Sequence, residues 1–144
     1  MSKRLNELFL FDIYIAILKI EKVIKNFNSY NELLYDFVSW DSVVREFSII
    51  GEATNHLIKA NILDKENRSI VNFRNVLIHK YFGIDPEEIW NISYNFLPVL
   101  KEIILEKISK IEREKKEKII IKLIEENKHL EFLTNKLKNL KDFS

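Results

Sequence analysis

"FGIDPEEIW", residues 82–90, holds one of the chain's two glycines and one of its two prolines. Gly83 suits the left-handed backbone that closes a helix, because it has no Cβ to clash there. Asp85 offers a side-chain acceptor for a helix N-cap, and Pro86 follows at the first helical position, where its missing amide costs nothing. Glu87 and Glu88 then put negative charge beside the positive end of the helix dipole. The stretch therefore reads as one helix ending and another beginning at once. Elsewhere only Gly51 and Pro98 remain as breakers, and no segment alternates in the manner of a strand. An all-α fold follows.

Upstream, Leu5, Leu8, Phe9, Ala16, Ile17, Ile20, Ile24 and Phe27 recur at three- and four-residue steps and predict a long first helix. Leu10, Tyr14 and Leu18 add a second apolar strip, so this helix should pack on more than one neighbour. Ser29 and Glu32 have capping-box spacing for a short second helix, "NELLYDFV", residues 31–38. A third is expected from near Asp41, with Val44, Phe47, Gly51, Thr54, Leu57 and Ile58 on one side. Gly51 costs about 1 kcal/mol there against alanine, which close helix–helix approach would offset. A fourth carries "RNVLIHKYFG", residues 74–83. Downstream of Asp85 a fifth runs through Ile89, Trp90, Phe96 and Leu100, and Pro98 should bend it by deleting one ladder bond. Beyond about Ser109 the composition shifts: "KIEREKKEK" is charge-dense, and "IIIKLIEENKHLEFLTNKLKNL" turns apolar again. Leu123, Leu130 and Leu137 repeat at seven, as do Leu133 and Leu140, in the spacing of a short coiled-coil seam that Glu126 interrupts. A helix laid along the domain or its partner is the preferred reading, giving a domain over residues 1–110 and a C-terminal helical extension of it over 111–144.

The 144 residues fit one domain with a real core. With 47% hydrophobic and 31% charged residues, the chain is expected to fold as a globular protein. A net charge of +1 supplies no overall basic field, so charge alone does not argue for a nucleic-acid partner. Without cysteine there are no disulfides or thiolate metal sites. No apolar run approaches a membrane span, and Asp12 interrupts "MSKRLNELFLF" too early for a signal peptide. A cytoplasmic protein is the expectation.

Metal chemistry is not expected either: His56, His79 and His129 are far apart, and no paired ligand spacing occurs. No glycine-rich phosphate loop or nucleophile elbow is present. What remains is Arg74, Asn75, His79 and Tyr81. Asn75 and His79 lie one helical turn apart on one face; Arg74 sits about 140° round from His79, within reach of its long side chain. These types suit phosphodiester chemistry without a metal. Histidine can move a proton near neutrality. Arginine's planar fork can clamp a phosphate and its transition-state charge. Asparagine could hold the other imidazole nitrogen or the substrate. In RNA the 2′-hydroxyl supplies the nucleophile. On spacing alone, solvated or capping roles for the same residues stay open.

"RNVLIHKYFG" resembles the R-x4-H-x-Y signature of HEPN-domain toxins of the HepT type. "VVREFSIIGEA", residues 43–53, and "GIDPEEIW", residues 83–90, are similar to that group too, and the resemblance runs in order over about residues 8–105. It implies a HEPN-like antiparallel helical bundle that forms a homodimer with two motif helices meeting, and a metal-independent RNase that arrests growth, with tRNA and mRNA as candidate substrates. It further implies a toxin–antitoxin pairing, of type VII-like HEPN/MNT kind, with a minimal nucleotidyltransferase antitoxin, MntA-like, that attaches AMP to the motif tyrosine. Carried over by position, Arg74 and His79 are the catalytic pair, Asn75 supports them, and Tyr81 is the modified residue. Arg45 and Glu52 would line or brace the shared cleft. No metal and no cofactor is implied. The alternative is a non-catalytic HEPN subunit that binds nucleotide or substrate for a partner nucleotidyltransferase.

Overall fold

The computed structural model describes residues 4–68, 71 and 85–140. Among them every regular element is helical: α1 (Asn6–Ile24), α2 (Tyr30–Tyr35), α3 (Phe37–Lys59), a 3-10 turn (Lys65–Asn67), α4 (Pro86–Asn95), α5 (Leu97–Ser109), α6 (Arg113–Glu126) and α7 (Glu131–Leu140). The segment expected to form the motif helix, with its Gly83 cap, lies outside the described residues.

α1 is the centre of the bundle. Its two apolar strips bury Leu10, Phe11, Ile13, Tyr14, Ile17, Leu18 and Ile20, and it packs on α3, α5 and α7. The girth read from the sequence thus has three neighbours to satisfy it. α3 is its most extensive partner. Phe9 near the start of α1 stacks on His56 near the end of α3, so the two run antiparallel. Gly51 and Ala53 are buried on α3, and such small residues let helix backbones approach closely. Phe47, Ile50 and Leu57 are fully buried beside them.

The Ser29 cap forms as expected, the amide of Glu32 donating to Ser29 Oγ at 3.2 Å. The returning Glu32 Oε2 accepts from the amide of Asn28 at 3.0 Å, one residue before the cap, and not from that of Ser29 as in a full capping box. The second helix nevertheless stops at Tyr35, short of residue 38, and the third starts at Phe37 rather than near Asp41. Asp36 is the cause. Its backbone is extended, and its side chain accepts from the Ser39 amide at 3.2 Å, so one residue ends α2 and caps α3. α3 itself ends on Asn61, whose φ of 62° is the one positive value at a non-glycine described residue. Asparagine tolerates that left-handed turn, and the amide of Ile62 closes it on the Leu57 carbonyl at 2.9 Å.

At the other boundary the Glu87 amide donates to Asp85 Oδ1 at 3.0 Å, with Pro86 opening α4. Pro98 does more than bend the following helix. It lacks the amide that would reach the Tyr94 carbonyl, and the chain breaks at Phe96 into α4 and α5. The ladder resumes on either side, from Phe96 to Ile92 and from Leu100 to Phe96. α4 packs on α2 and α5.

The C-terminal region is two helices. Asn127 to Leu130 turn the chain, so Leu123, Leu130 and Leu137 do not share one uninterrupted helix, while Leu133 and Leu140 are both buried on α7. Glu112 caps α6 by accepting from the amides of Glu114 and Lys115, both at 3.0 Å, and those donors hold its carboxyl below the usual range. α6 and α7 pack on each other, α7 also on α1, and Ile120, Leu133 and Leu137 join the same hydrophobic cluster as Phe11 and Phe47. Lys115 of α6 pairs with Glu7 of α1 at 2.8 Å.

Candidate active site

α3 carries Arg45 and Glu52, the two residues expected to support the site. Arg45 and Glu52 are both exposed; seven positions apart, they lie about two turns from one another on one face. One turn beyond Glu52 comes His56, whose ring stacks on Phe9 with centroids 4.5 Å apart and planes 10° from parallel. Arg4 stands over the same Phe9 ring at 5.6 Å and pairs with Asp12 at 2.8 Å. Burial pushes the Asp12 carboxyl up against that pull. Next to Arg45, Glu46 turns inward and is buried. Desolvation lifts its carboxyl above the usual range, with Lys19 and Arg45 acting in the opposite direction.

Arg74, Asn75, His79 and Tyr81 lie outside the described residues, so the geometry here is that of Arg45 and Glu52 alone. What is described is how the chain is anchored on each side of them. Before the motif, Leu63 and Val71 are buried in the core and Asn67 is buried at the end of the 3-10 turn, which packs on α3. After it, the Asp85 cap fixes the start of α4, and Ile89 is fully buried one turn on. Both ends of the motif segment are therefore tied to the same core. Among the described residues no cluster of three or more His, Asp or Glu side chains could hold a metal, and no helix is long and apolar enough to cross a membrane.

The Phe9–His56–Arg4 grouping was missed in the sequence. No spacing could have revealed it, because its members come from opposite ends of two antiparallel helices.

The family described as HepT-like ribonuclease matches residues 13–108, two-thirds of the chain. The chain belongs to the HepT-like ribonuclease family. Among relatives of this HepT-like group, a Methanocaldococcus jannaschii protein provisionally named an RNase is 33% identical over 105 residues, which cover 71% of this chain and 95% of that protein. A second from the same organism, also provisionally an RNase, is 34% identical over 110 residues, 72% of this chain and 88% of its own. A Thermococcus cleftensis protein named probable ribonuclease HepT is 31% identical over 102 residues, 69% of this chain and 92% of that one. No solved structure matches significantly. The HepT-like match spans α1 from Ile13 through α5 to Ile108, so α6 and α7 lie beyond it.

Proposed function

We propose that the chain is a metal-independent endoribonuclease, the toxin half of a HEPN/MNT toxin–antitoxin pair, acting as a homodimer and silenced when a partner nucleotidyltransferase adds AMP to Tyr81. The observation that carries this reading is that the HepT-like ribonuclease match, residues 13–108, contains Arg74, His79 and Tyr81 at the spacing of the R-x4-H-x-Y signature. The names of the relatives support RNA as substrate. Arg74 binds the scissile phosphate, His79 moves the proton, and Asn75 steadies the imidazole or the substrate. Arg45 and Glu52, on the outer face of α3, brace the cleft. Residues 1–110 form the HEPN domain and residues 111–144 extend it. The reading puts the protein in the cytoplasm, where its RNA is.

Two outcomes are expected of the purified chain. It cuts RNA in the presence of EDTA and leaves a 2′,3′-cyclic or 3′-phosphate end, because the 2′-hydroxyl is the nucleophile. Cleavage that stops when metal is chelated, or fragments ending in a 3′-hydroxyl, would refute this mechanism. The second outcome concerns assembly. One chain is nearly neutral overall, and two motif segments together supply twice the cationic groups for a phosphate strand. Sedimentation at micromolar concentration should give the mass of two chains; a monomer there removes the shared cleft.

A further inference from the structure

The second half of α1 and the exposed side of α7 enclose an open cleft of about 200 Å³, lined by Leu18, Glu21, Lys22, Lys25, Phe132 and Lys136. Leu18, Lys22 and Lys25 share one face of α1, and Phe132 and Lys136 are one turn apart on α7. Lys22 Nζ stands 5.3 Å from the centre of the Phe132 ring. Glu21, the cleft's one carboxylate, is taken by Lys101 of α5 at 2.7 Å. Among the described residues none of Lys22, Lys25 and Lys136 has a carboxylate partner. Elsewhere in the C-terminal hairpin Lys115, Lys118 and Lys128 are each paired with a glutamate. Lys122 and Lys138 have no carboxylate partner among the described residues, but neither lines this cleft with its aromatic wall.

Three unneutralised cations thus converge here in a chain whose whole charge is +1, so the remainder of the molecule is net acidic. Like charges gathered in one cleft repel one another, and a polyanion relieves that repulsion. The Phe132 ring on the cleft wall is half-buried against the core with Lys22 over it; when Lys22 turns to a phosphate, the ring face it leaves is the kind of surface a nucleobase stacks on. A lone phosphate would use the lysines and leave Phe132 idle. A strand that alternates phosphates with bases uses both.

We propose that this cleft binds single-stranded RNA away from the catalytic motif, with Lys22, Lys25 and Lys136 on its phosphates and Phe132 against a base. The proposal rests on the ribonuclease reading for its choice of polyanion. It also gives the C-terminal helices a role: Phe132 and Lys136 lie outside the family-matched region, so this chain adds half of a substrate-holding surface to its HepT-like core.

The test uses the full chain carrying His79→Ala, so that binding is read without cutting, and a fluorescent single-stranded oligoribonucleotide titrated over a range of salt. Replacing Lys22, Lys25 and Lys136 together by glutamine should weaken binding at low salt. The slope of log affinity against log salt should fall by about 2, since each phosphate contact on a single strand contributes about 0.7. Phe132→Leu keeps an apolar group on the core and removes the stacking face, and should weaken binding about tenfold with the salt slope unchanged. The lysines are exposed, and matching melting curves check that the fold is kept. Parental affinity and slope in the triple variant overturn the cleft, even if the unsubstituted chain cuts RNA well. Slope loss in a chain that never cuts RNA upholds the cleft and removes the ribonuclease reading instead. A chain that neither binds nor cuts RNA removes both.

Discussion

Alanine at His79, or at Arg74, should abolish RNA cleavage while the protein still melts as the parent does. A metal-free cut needs a proton taken from the 2′-hydroxyl and one given to the departing 5′-oxygen, and a positioned imidazole typically accelerates such transfers by about 10²–10⁴. His79→Ala removes that shuttle. The arginine is proposed to act on charge instead: negative charge grows on the phosphate oxygens as the fifth bond forms, and losing one preorganised donor commonly costs about 10²–10³. Arg74→Lys should recover only part of the loss, because an ammonium keeps the charge but not the two-pronged hydrogen bonds. The flanking anchors argue that these are not folding defects. Val71 and Ile89 hold the chain to the core on either side, and Asp85 caps α4 by itself. The measurement is cleavage rate on a defined RNA beside a melting curve, together with growth of cells expressing each variant. Folded alanine variants that cut RNA and arrest cells at the parental rate would show that the catalytic pair lies elsewhere.

How much of this was legible depends on how local each signal is. The caps at Ser29–Glu32 and Asp85–Glu87 formed as read, because a cap is decided within four residues of chain. The α2–α3 boundary was misplaced because Phe37 and Val38 look like a continuing apolar helix. They are in fact 73% and 64% exposed in the first turn of α3, and Asp36, acting for both helices, sets the break. At Pro98 the lost hydrogen bond was foreseen but not that Phe96 would separate two helices. The repeat at seven among the C-terminal leucines was real as a pattern. The turn at Asn127–Leu130 divides it into two helices that pack on each other, and Leu133 and Leu137 join the common core. For the site, Arg45 and Glu52 are on α3 as the helical spacing implies, whereas the roles of Arg74, His79 and Tyr81 came from the signature and not from periodicity. The lysine cleft was invisible for a third reason. A whole-chain charge of +1 averages over it, and its residues are brought together only by the packing of α7 on α1.

Co-expression with the partner nucleotidyltransferase should load AMP, singly or as a short run, on Tyr81 and remove toxicity. A phenol two positions from His79 suits this chemistry. A tyrosine ring can pack on an apolar surface while its hydroxyl reaches solvent, and the proposed modification needs an oxygen held in that way. In the transfer, that oxygen bonds to the α-phosphorus of ATP, pyrophosphate leaves, and the phenolic proton is lost to a base. On the proposed reading the product would carry a negative phosphodiester and a bulky nucleoside two positions along the chain from His79. The charge would then compete for Arg74 and the nucleoside would obstruct the strand, so one modification would oppose both electrostatic attraction and access. Tyr81→Phe separates these effects from the ring's packing. It keeps the aromatic face, removes the accepting oxygen, and should leave RNA cleavage near the parental rate while the partner no longer silences it through AMP. Intact-mass and peptide spectrometry of the co-expressed proteins reads the added adenylyl groups and their position, and growth reads the toxicity. Silencing of Tyr81→Phe with AMP found on another residue would move the modification site. Silencing with no AMP on the chain at all would mean that the partner inhibits by binding, and that the tyrosine of the motif serves the fold or the substrate instead.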